Sequence, residues 1–184
     1  MIKSVCVFCS ASARVIEKYG ALAEETGEHL AKSGYDVVYG GSRSGLMGLV
    51  ADSALKAGAK VYGVIPEFLI NREIMHTDVS EHFITQTMHE RQMKMNELSD
   101  AFVILPGGMG TMAEFYEIAT WKILDIHKKP IIVVNYNGFW DPLLATIDRF
   151  REEGFLHGSI NNIYEVTDRV DLIGSLLDSS TSDT

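Results

Sequence analysis

Short runs of apolar residues alternate with longer amphipathic segments along the whole chain. The clearest runs are "SVCVF", "YDVVY", "KVYGVIP", "AFVIL" and "IIVV". Strands that are apolar throughout must be buried on both faces, which is typical of a parallel sheet covered by crossover helices. This alternation constrains the fold more strongly than any other feature of the sequence.

The segments between these runs have the spacing of helices. Residues 14–33 carry an apolar stripe, residues 45–58 close at Gly58, and Thr87 with Glu90 forms a capping-box signal before a helix over 88–98. We also predict a further strand at "HFITQ", a long helix directly after "AFVIL" and helices near 141–153 and 168–178, with a less regular stretch at 67–80. The predicted fold is α/β, a doubly wound, mostly parallel Rossmann-like sheet with helices on both faces.

The 184 residues suffice for one sizeable core. We therefore predict a single domain over residues 1–178, followed by a disordered polar tail at 179–184. Ligands of such sheets bind beyond the carboxyl ends of the strands, near the point where the strand order reverses.

The charge balance limits the partners of the chain. It has 16 basic and 25 acidic residues, a formal net charge of −9, whereas nucleic acids and anionic membranes require a basic face. No run approaches the roughly 18 apolar residues of a membrane span, and no signal peptide is visible. We expect a cytoplasmic protein that binds neither nucleic acid nor membrane.

Cys6 and Cys9 form a C-x2-C pair, a spacing also found in metal and redox sites. Both lie within one predicted strand, where residues three apart point to opposite faces. We therefore expect two buried thiols in a reducing compartment. Because the six histidines form no H-E-x-x-H or other ligand cluster, we expect no metal and no cofactor.

Two glycine-rich turns lead directly from strands into helices, "YGGSRSGLMG" at 39–48 and "LPGGMGTMAEF" at 105–115. Helix N-termini present free N–H groups and partial positive charge, and glycine lets an anion approach the backbone closely. A tight strand-to-helix connection with glycine at positive φ would explain one such turn. Two glycine-rich turns on the same edge of the sheet favour a phosphate-binding site.

Known phosphate motifs fit these turns imperfectly. No G-x-x-x-x-G-K-[ST] sequence is present, which argues against a P-loop. Gly108, Gly110 and Ala113 satisfy the loose dinucleotide pattern, but the next strand ends in Asn135 and not in an acid. Dinucleotide binding thus remains a weak alternative.

Two acids follow the second turn, and helical spacing places Glu114 and Glu117 on one face with Thr111. An acid in the first turns of a helix is stabilised by the helix dipole, and this would explain one of the two. It does not explain both if a phosphate binds the same helix end, because carboxylates and phosphate repel each other. A ribose between them resolves the conflict, because its hydroxyls and its cationic transition state both favour carboxylates. We expect the opposite face to pack on the core, through Met112, Phe115, Ala119 and Ile123.

Arg91 shares a helix face with Met88 and Met95. A buried arginine needs a partner. A structural salt bridge is one explanation, and a site arginine that contacts substrate or orients a carboxylate is the other.

These motifs together resemble the LONELY GUY family, the cytokinin riboside 5′-monophosphate phosphoribohydrolases. The family motif P-G-G-x-G-T-x-x-E matches Pro106 to Glu114 without a mismatch, and the upstream arginine motif is present as "MHERQMKM". The resemblance runs from "CVFCSAS" to about residue 165. Two motifs depart from the family pattern, with Ser42 in place of a third glycine and "CSAS" in place of C-G-S-S, and both lie on the predicted ligand rim.

The resemblance implies a homodimer with active sites at the subunit interface. It also implies hydrolysis of the N-glycosidic bond in N6-modified adenosine 5′-monophosphates, with Arg91 and Glu114 as the catalytic pair. From the turns and this resemblance, we expect a set of substrate-binding residues on the rim: Gly41, Ser42, Gly45, Met88, Gly107, Gly108, Met109, Gly110, Thr111 and Glu117.

Two other functions remain open, hydrolysis of plain purine nucleotides such as AMP, and nucleotide binding without catalysis. Relatives carry the label lysine decarboxylase, but a pyridoxal enzyme needs a Schiff-base lysine in its site. The two turns and the helix behind the second contain no lysine before Lys122.

Overall fold

A computed structural model describes residues 1–70, 74–156 and 163–179. Seven strands form one sheet in which every pairing is parallel. In chain order the strands are β1 (Ser4–Phe8), β2 (Asp36–Tyr39), β3 (Val61–Pro66), β4 (Glu81–Thr85), β5 (Ala101–Ile104), β6 (Ile131–Val134) and β7 (Glu165–Thr167).

The strand order across the sheet is β4-β3-β2-β1-β5-β6-β7. The chain winds outward from β1 in one direction as far as β4 and then in the other direction from β5. The order therefore reverses between β1 and β5, and the crevice beyond their carboxyl ends is the expected ligand site of this architecture.

Within the described residues, six α-helices cover the two faces of the sheet. They are α1 (Ile16–Lys32), α2 (Gly45–Lys56), α3 (Met88–Leu98), α4 (Met109–Ile123), α5 (Asp141–Glu152) and α6 (Ile173–Ser179). One core cluster joins the sheet to α1, α2 and α6, and the other joins it to α3, α4 and α5. The predicted doubly wound α/β fold is thus confirmed. Along the described residues, none of the helices combines the length and the apolar character that crossing a bilayer requires.

Local signals in the sequence explain several element boundaries. The Thr87 hydroxyl accepts a hydrogen bond from the Glu90 N–H at 3.1 Å, and the Glu90 carboxylate accepts one from the Gln86 N–H at 2.8 Å. This is the predicted capping box, with the return bond made one residue earlier than in the usual form. The predicted helix over 168–178 is divided into a 3-10 turn at Val170–Leu172 and α6.

The two cysteines lie on opposite faces of the sheet, Cys6 in one core cluster and Cys9 in the other, as strand geometry predicts. Burial, followed by the charge of Glu114, raises the pKa of both thiols well above the ordinary range. A protonated, buried thiol is a poor nucleophile and a poor metal ligand.

The predicted core face of α4 is partly wrong. Ile118 is completely buried, whereas Ile123 is 40% exposed. Phe115 and Ala119 are buried as predicted, Glu114 is buried as well beside Arg91 of α3, and Ile123 is the last residue of the helix. The predicted tail at 179–184 lies outside the described residues beyond Ser179, and part of the irregular stretch at 67–80 does so too, at 71–73.

Candidate active site

The turn before α4 leaves the helix N-terminus open. Gly108 is the N-cap residue, no side chain caps the helix, and its first turn contains no acid. A Cβ added at Gly108 or Gly110 would meet no atom within 4 Å. Neither residue has positive φ, so nothing within the described chain requires glycine there. The close approach of an external anion to the backbone would require it.

Gly107 and Thr111 close the inner side of this turn. A Cβ at Gly107 would lie 2.1 Å from the Thr111 hydroxyl oxygen, so only glycine fits beside that side chain. Thr111 is buried, whereas Met109 is 82% exposed at the tip of the turn. The segment from Gly107 to Thr111 is therefore a backbone cradle with a hydroxyl at its base.

The first glycine turn, before α2, is already occupied by the chain itself. The N–H groups of Leu46 and Met47 donate to the Ser10 carbonyl at 2.9 and 3.3 Å. Gly45 has φ +62°, and its Cβ would lie 2.4 Å from the Ala11 carbonyl carbon. The α2 terminus is thus capped by the loop after β1, whereas the α4 terminus has no side-chain cap.

Gly41 and Ser42 lie in the same turn and are buried. Gly41 has φ +77°, a conformation that favours glycine. The Ser42 hydroxyl accepts a hydrogen bond from the Ser44 N–H at 3.1 Å. These residues and Gly45 have structural roles in the turn, and their contact with substrate stays a prediction.

Arg91 and Glu114 meet beneath the cradle. The Arg91 Nη1 lies 3.6 Å from the Glu114 Oε1, and both side chains are less than a tenth exposed. Arg91 also donates from Nε to the Val64 carbonyl and from Nη2 to the Gly40 carbonyl, each at 3.1 Å. The guanidinium is therefore held by the carboxyl ends of β2 and β3 while it faces the Glu114 carboxylate.

Two contacts of this pair were not predicted from the sequence. A Cβ at Gly40 would lie 2.0 Å from the Arg91 Nη2, so glycine at this position makes room for the guanidinium. The buried side chain of Gln92 donates to the Glu114 carbonyl at 3.3 Å and ties α3 to α4. The two glycines in "YGG" indicate that a side chain does not fit at Gly40, but they do not identify Arg91, 51 residues later, as the group that approaches it.

Glu117 and Met88 lie nearer the surface. The Glu117 side chain is about one-third exposed, and its Oε1 lies 3.9 Å from the Nδ1 of the exposed His89. Partial burial raises the pKa of Glu117, and His89 opposes the shift. Met88 begins α3 and is 45% exposed. One helical turn separates Glu117 from Glu114, so the two carboxylates form a wall running from the interior to solvent.

The weaker alternatives do not gain support. The Asn135 amide donates to Asp141 and its carbonyl accepts from the Trp140 N–H, so the side chain is engaged in its own turn. Lys122 lies eleven residues beyond Thr111 on α4, about 17 Å along the helix axis. In the described part of the chain, no group of three or more His, Cys, Asp or Glu side chains is arranged to hold a metal ion.

Fold and site together define a doubly wound α/β protein in which an open helix terminus adjoins a buried arginine–carboxylate pair. A family model described as "possible lysine decarboxylase" matches residues 47–176. The chain belongs to this family, which includes the cytokinin riboside 5′-monophosphate phosphoribohydrolases of the LONELY GUY type.

Three named relatives show the extent of the similarity. A cytokinin riboside 5′-monophosphate phosphoribohydrolase of Rhodococcoides fascians is 46% identical over 155 residues, covering 84% of this chain and 78% of the relative. A probable enzyme of the same name from Oryza sativa subsp. japonica is 44% identical, with 86% and 71% coverage. One from Arabidopsis thaliana is 42% identical, with 88% and 76% coverage.

Solved structures share the fold. A molybdenum cofactor carrier protein from Chlamydomonas reinhardtii superimposes with a TM-score of 0.74 over 100% of both chains, at 18% identity. A molybdenum cofactor binding protein from Rippkaea orientalis gives 0.71 over 97% of this chain and 98% of its own, at 19% identity. At these identities the likeness describes architecture alone.

Proposed function

We propose that this chain hydrolyses the N-glycosidic bond of N6-modified adenosine 5′-monophosphates, giving the free base and ribose 5-phosphate. The observation that carries the proposal is the buried Arg91–Glu114 pair, 3.6 Å apart, at the base of an open glycine cradle. The names of relatives at 42–46% identity support the same reaction and substrate class.

The 5′-phosphate binds the backbone N–H groups of Gly107 to Thr111, with the Thr111 hydroxyl as a further donor. Gly108 and Gly110 leave the space that a phosphate needs to reach those groups. The ribose then lies along the acid wall, where Glu114 and Glu117 accept hydrogen bonds from its hydroxyls.

The chemical step is displacement at the anomeric carbon. As the C1′–N9 bond breaks, its electron pair stays on the purine, and positive charge develops on the ribose. The buried Glu114 carboxylate stabilises that charge, because electrostatic interactions are stronger in a site shielded from water. A water oxygen bonds to C1′ and loses a proton, and the departing purine takes up a proton.

Arg91 acts on Glu114 in this mechanism. Its Nε and Nη2 are bonded to the carbonyls of Val64 and Gly40, so the guanidinium has little freedom to follow a leaving group. Its Nη1 faces Glu114 and holds the carboxylate toward the ribose. The geometry thus favours an orienting role over direct protonation of the base.

Assembly and location belong to the same proposal. We propose a single domain over residues 1–178, a cytoplasmic location, and a homodimer whose interface borders the site. Two methionines on α3, Met88 and Met93, and Ile84 on the edge strand β4 are between 45% and 55% exposed. An exposed apolar surface of this kind supports a contact between subunits.

Incubation with the 5′-monophosphate of N6-isopentenyladenosine, with plain AMP and with the corresponding nucleoside tests the function. Chromatography of the released base gives the rates. We expect rapid release from the N6-modified nucleotide, slower release from AMP, and none from the nucleoside, which lacks the phosphate. Equal rates on AMP would identify a general purine-nucleotide hydrolase, and binding without release would identify a carrier.

A further inference from the structure

His76 is completely buried beside the first glycine turn, although no step of the proposed reaction uses it. Its main-chain N–H donates to the Gly41 carbonyl at 3.0 Å. Its ring Nδ1 accepts from the Asp78 N–H at 3.2 Å, and its Nε2 lies 3.0 Å from the Asp52 Oδ1 on α2. A buried polar side chain with partners on both ring nitrogens has a single orientation.

These contacts also determine where the ring proton lies. A backbone N–H can only donate, so the Nδ1 that accepts from Asp78 carries no proton. The proton is therefore on Nε2, which donates to the Asp52 carboxylate. The imidazole is neutral and joins the segment after Ile74 to α2.

The segment from Ile74 to Asp78 is bound along the glycine turn. The Arg43 N–H donates to the Ile74 carbonyl at 2.9 Å, and Ser42 pairs with Met75 in an antiparallel bridge. The Arg43 guanidinium lies 3.2 Å from the Asp78 carboxylate. His76 is the buried centre of this contact, and the salt bridge beside it is exposed.

The same turn supplies the carbonyl that holds Arg91. The Gly40 carbonyl accepts from the Arg91 Nη2 at 3.1 Å, and the next peptide presents the Gly41 carbonyl to the His76 N–H. Gly41 has φ +77°, and a Cβ there would lie 3.0 Å from the Ile65 Cβ, so this tight turn requires glycine. Two consecutive peptide units therefore connect the His76 N–H to the Arg91 guanidinium.

We propose that His76 is a positioning residue for the active site. Locked between Asp52 and Asp78, its neutral ring fixes the Gly40–Gly41 turn and thereby the Arg91 guanidinium opposite Glu114. This inference rests on the proposed function, because it acts through the Arg91–Glu114 pair.

The chain contains a matched control in His127. This residue is also buried, its Nδ1 accepts from the N–H two residues later, that of Lys129, at 3.1 Å, and its Nε2 donates to the Ile118 carbonyl at 2.9 Å. It thus has the same tautomer and the same bonding pattern as His76. It lies between α4 and β6, and neither of its ring contacts involves the first glycine turn or Arg91.

The test compares His76→Asn with His127→Asn. The asparagine oxygen replaces Nδ1 as an acceptor but does not reach the partner of Nε2. We expect both variants to unfold at similar, lowered denaturant concentrations, while only His76→Asn loses about tenfold in kcat, with KM for the nucleotide nearly unchanged. Wild-type kcat in His76→Asn, or an equal loss in His127→Asn, would overturn the proposal.

A second pair of variants serves if His76→Asn does not fold. Asp52 is about half exposed on α2, so Asp52→Leu removes the acceptor without cutting into the core. Asp52→Asn keeps an oxygen that can accept from Nε2. We expect kcat to fall several-fold in Asp52→Leu and to stay within twofold of the wild-type value in Asp52→Asn. Equal kcat values in the two variants would contradict the inference.

Arg91→Ala and Glu114→Gln in the same assay separate the two proposals. If both keep full turnover, the assignment of the catalytic pair fails, irrespective of His76. If both lose turnover while His76→Asn and Asp52→Leu retain it, only the role of His76 fails. In the unliganded protein, we also expect the ¹⁵N resonance of the Arg91 Nε–H to move in His76→Asn and not in His127→Asn.

Discussion

Replacing Gly40 by alanine tests the packing that places Arg91. The new Cβ would lie 2.0 Å from the Arg91 Nη2, so the guanidinium must retreat by about 1.4 Å to reach the 3.4 Å of ordinary contact. The Met47 side chain, at 2.9 Å from the same Cβ, is flexible and can move aside. The displacement therefore falls on Arg91 and on its bond to the Gly40 carbonyl.

We expect Gly40→Ala to lower both the stability of the fold and kcat. Loss of a hydrogen bond from a buried charged donor destabilises the fold by about 2 kcal/mol, or roughly 4–8 °C in the unfolding midpoint of a chain this size. A displacement of an ångström in the group that orients Glu114 lowers kcat on the order of a hundredfold. Calorimetry measures the first effect, and steady-state release of base measures the second.

Gly174→Ala on α6 is the control, because its Cβ would meet His29 and Ser33 at an ordinary 3.6 Å. We expect neutral or slightly increased stability and unchanged kcat. A double-mutant cycle sharpens the test: in an Arg91→Met background Gly40→Ala has room, so its destabilisation should nearly vanish. Equal destabilisation by Gly40→Ala in both backgrounds, or full turnover in the single variant, would show that Gly40 does not determine the position of Arg91.

Three further predictions concern the cradle, the acid wall and the thiols. Gly110→Ala should leave the unfolding midpoint unchanged or raise it, because the new Cβ would meet no atom within 4 Å. The same substitution should raise KM for the nucleotide at least tenfold, because the methyl group crowds the phosphate. An unchanged KM would mean that the phosphate binds elsewhere. Because the pKa of Glu117 is raised in the folded protein, the ionised carboxylate lowers stability at a pH above the folded pKa and has no such effect below its ordinary pKa of 4.5. Glu117→Gln should therefore raise the free energy of unfolding at pH 7 and leave it unchanged at pH 4. Urea titrations at the two pH values measure this difference. Cys6 and Cys9 are 0% and 2% exposed, so a thiol reagent monitored by absorbance should label neither in the folded protein and both in denaturant; labelling of the folded protein would contradict the burial.

Much of the architecture could be predicted from the alternation of apolar runs and helical stripes, because both periodicities reflect local geometry. The capping box at Thr87 and Glu90 marks the start of α3 in the same way. The burial of Glu114 could not be predicted in this way, because its partner Arg91 lies on another helix. Periodicity within one segment does not contain that information.

The candidate site likewise combines features that could be predicted from the sequence with features that could not. Glycines at 107, 108 and 110 and acids at 114 and 117 are visible in the sequence, and they lie along the first half of α4 and the turn before it. The carbonyls that hold Arg91 were not predictable, since every residue offers a carbonyl and only the fold selects those of Gly40 and Val64. The capping of α2 by the Ser10 carbonyl was hidden for the same reason.

We propose that the buried Arg91–Glu114 pair beside the open glycine cradle hydrolyses an N-glycosidic bond. The most direct measurement is single-turnover release of base from the 5′-monophosphate of N6-isopentenyladenosine, by wild type and by Glu114→Gln at saturating protein. We predict stoichiometric free base and ribose 5-phosphate from wild type, and binding with at least a hundredfold slower release from Glu114→Gln. Equal release rates for the two proteins, or binding without release by wild type, would contradict it.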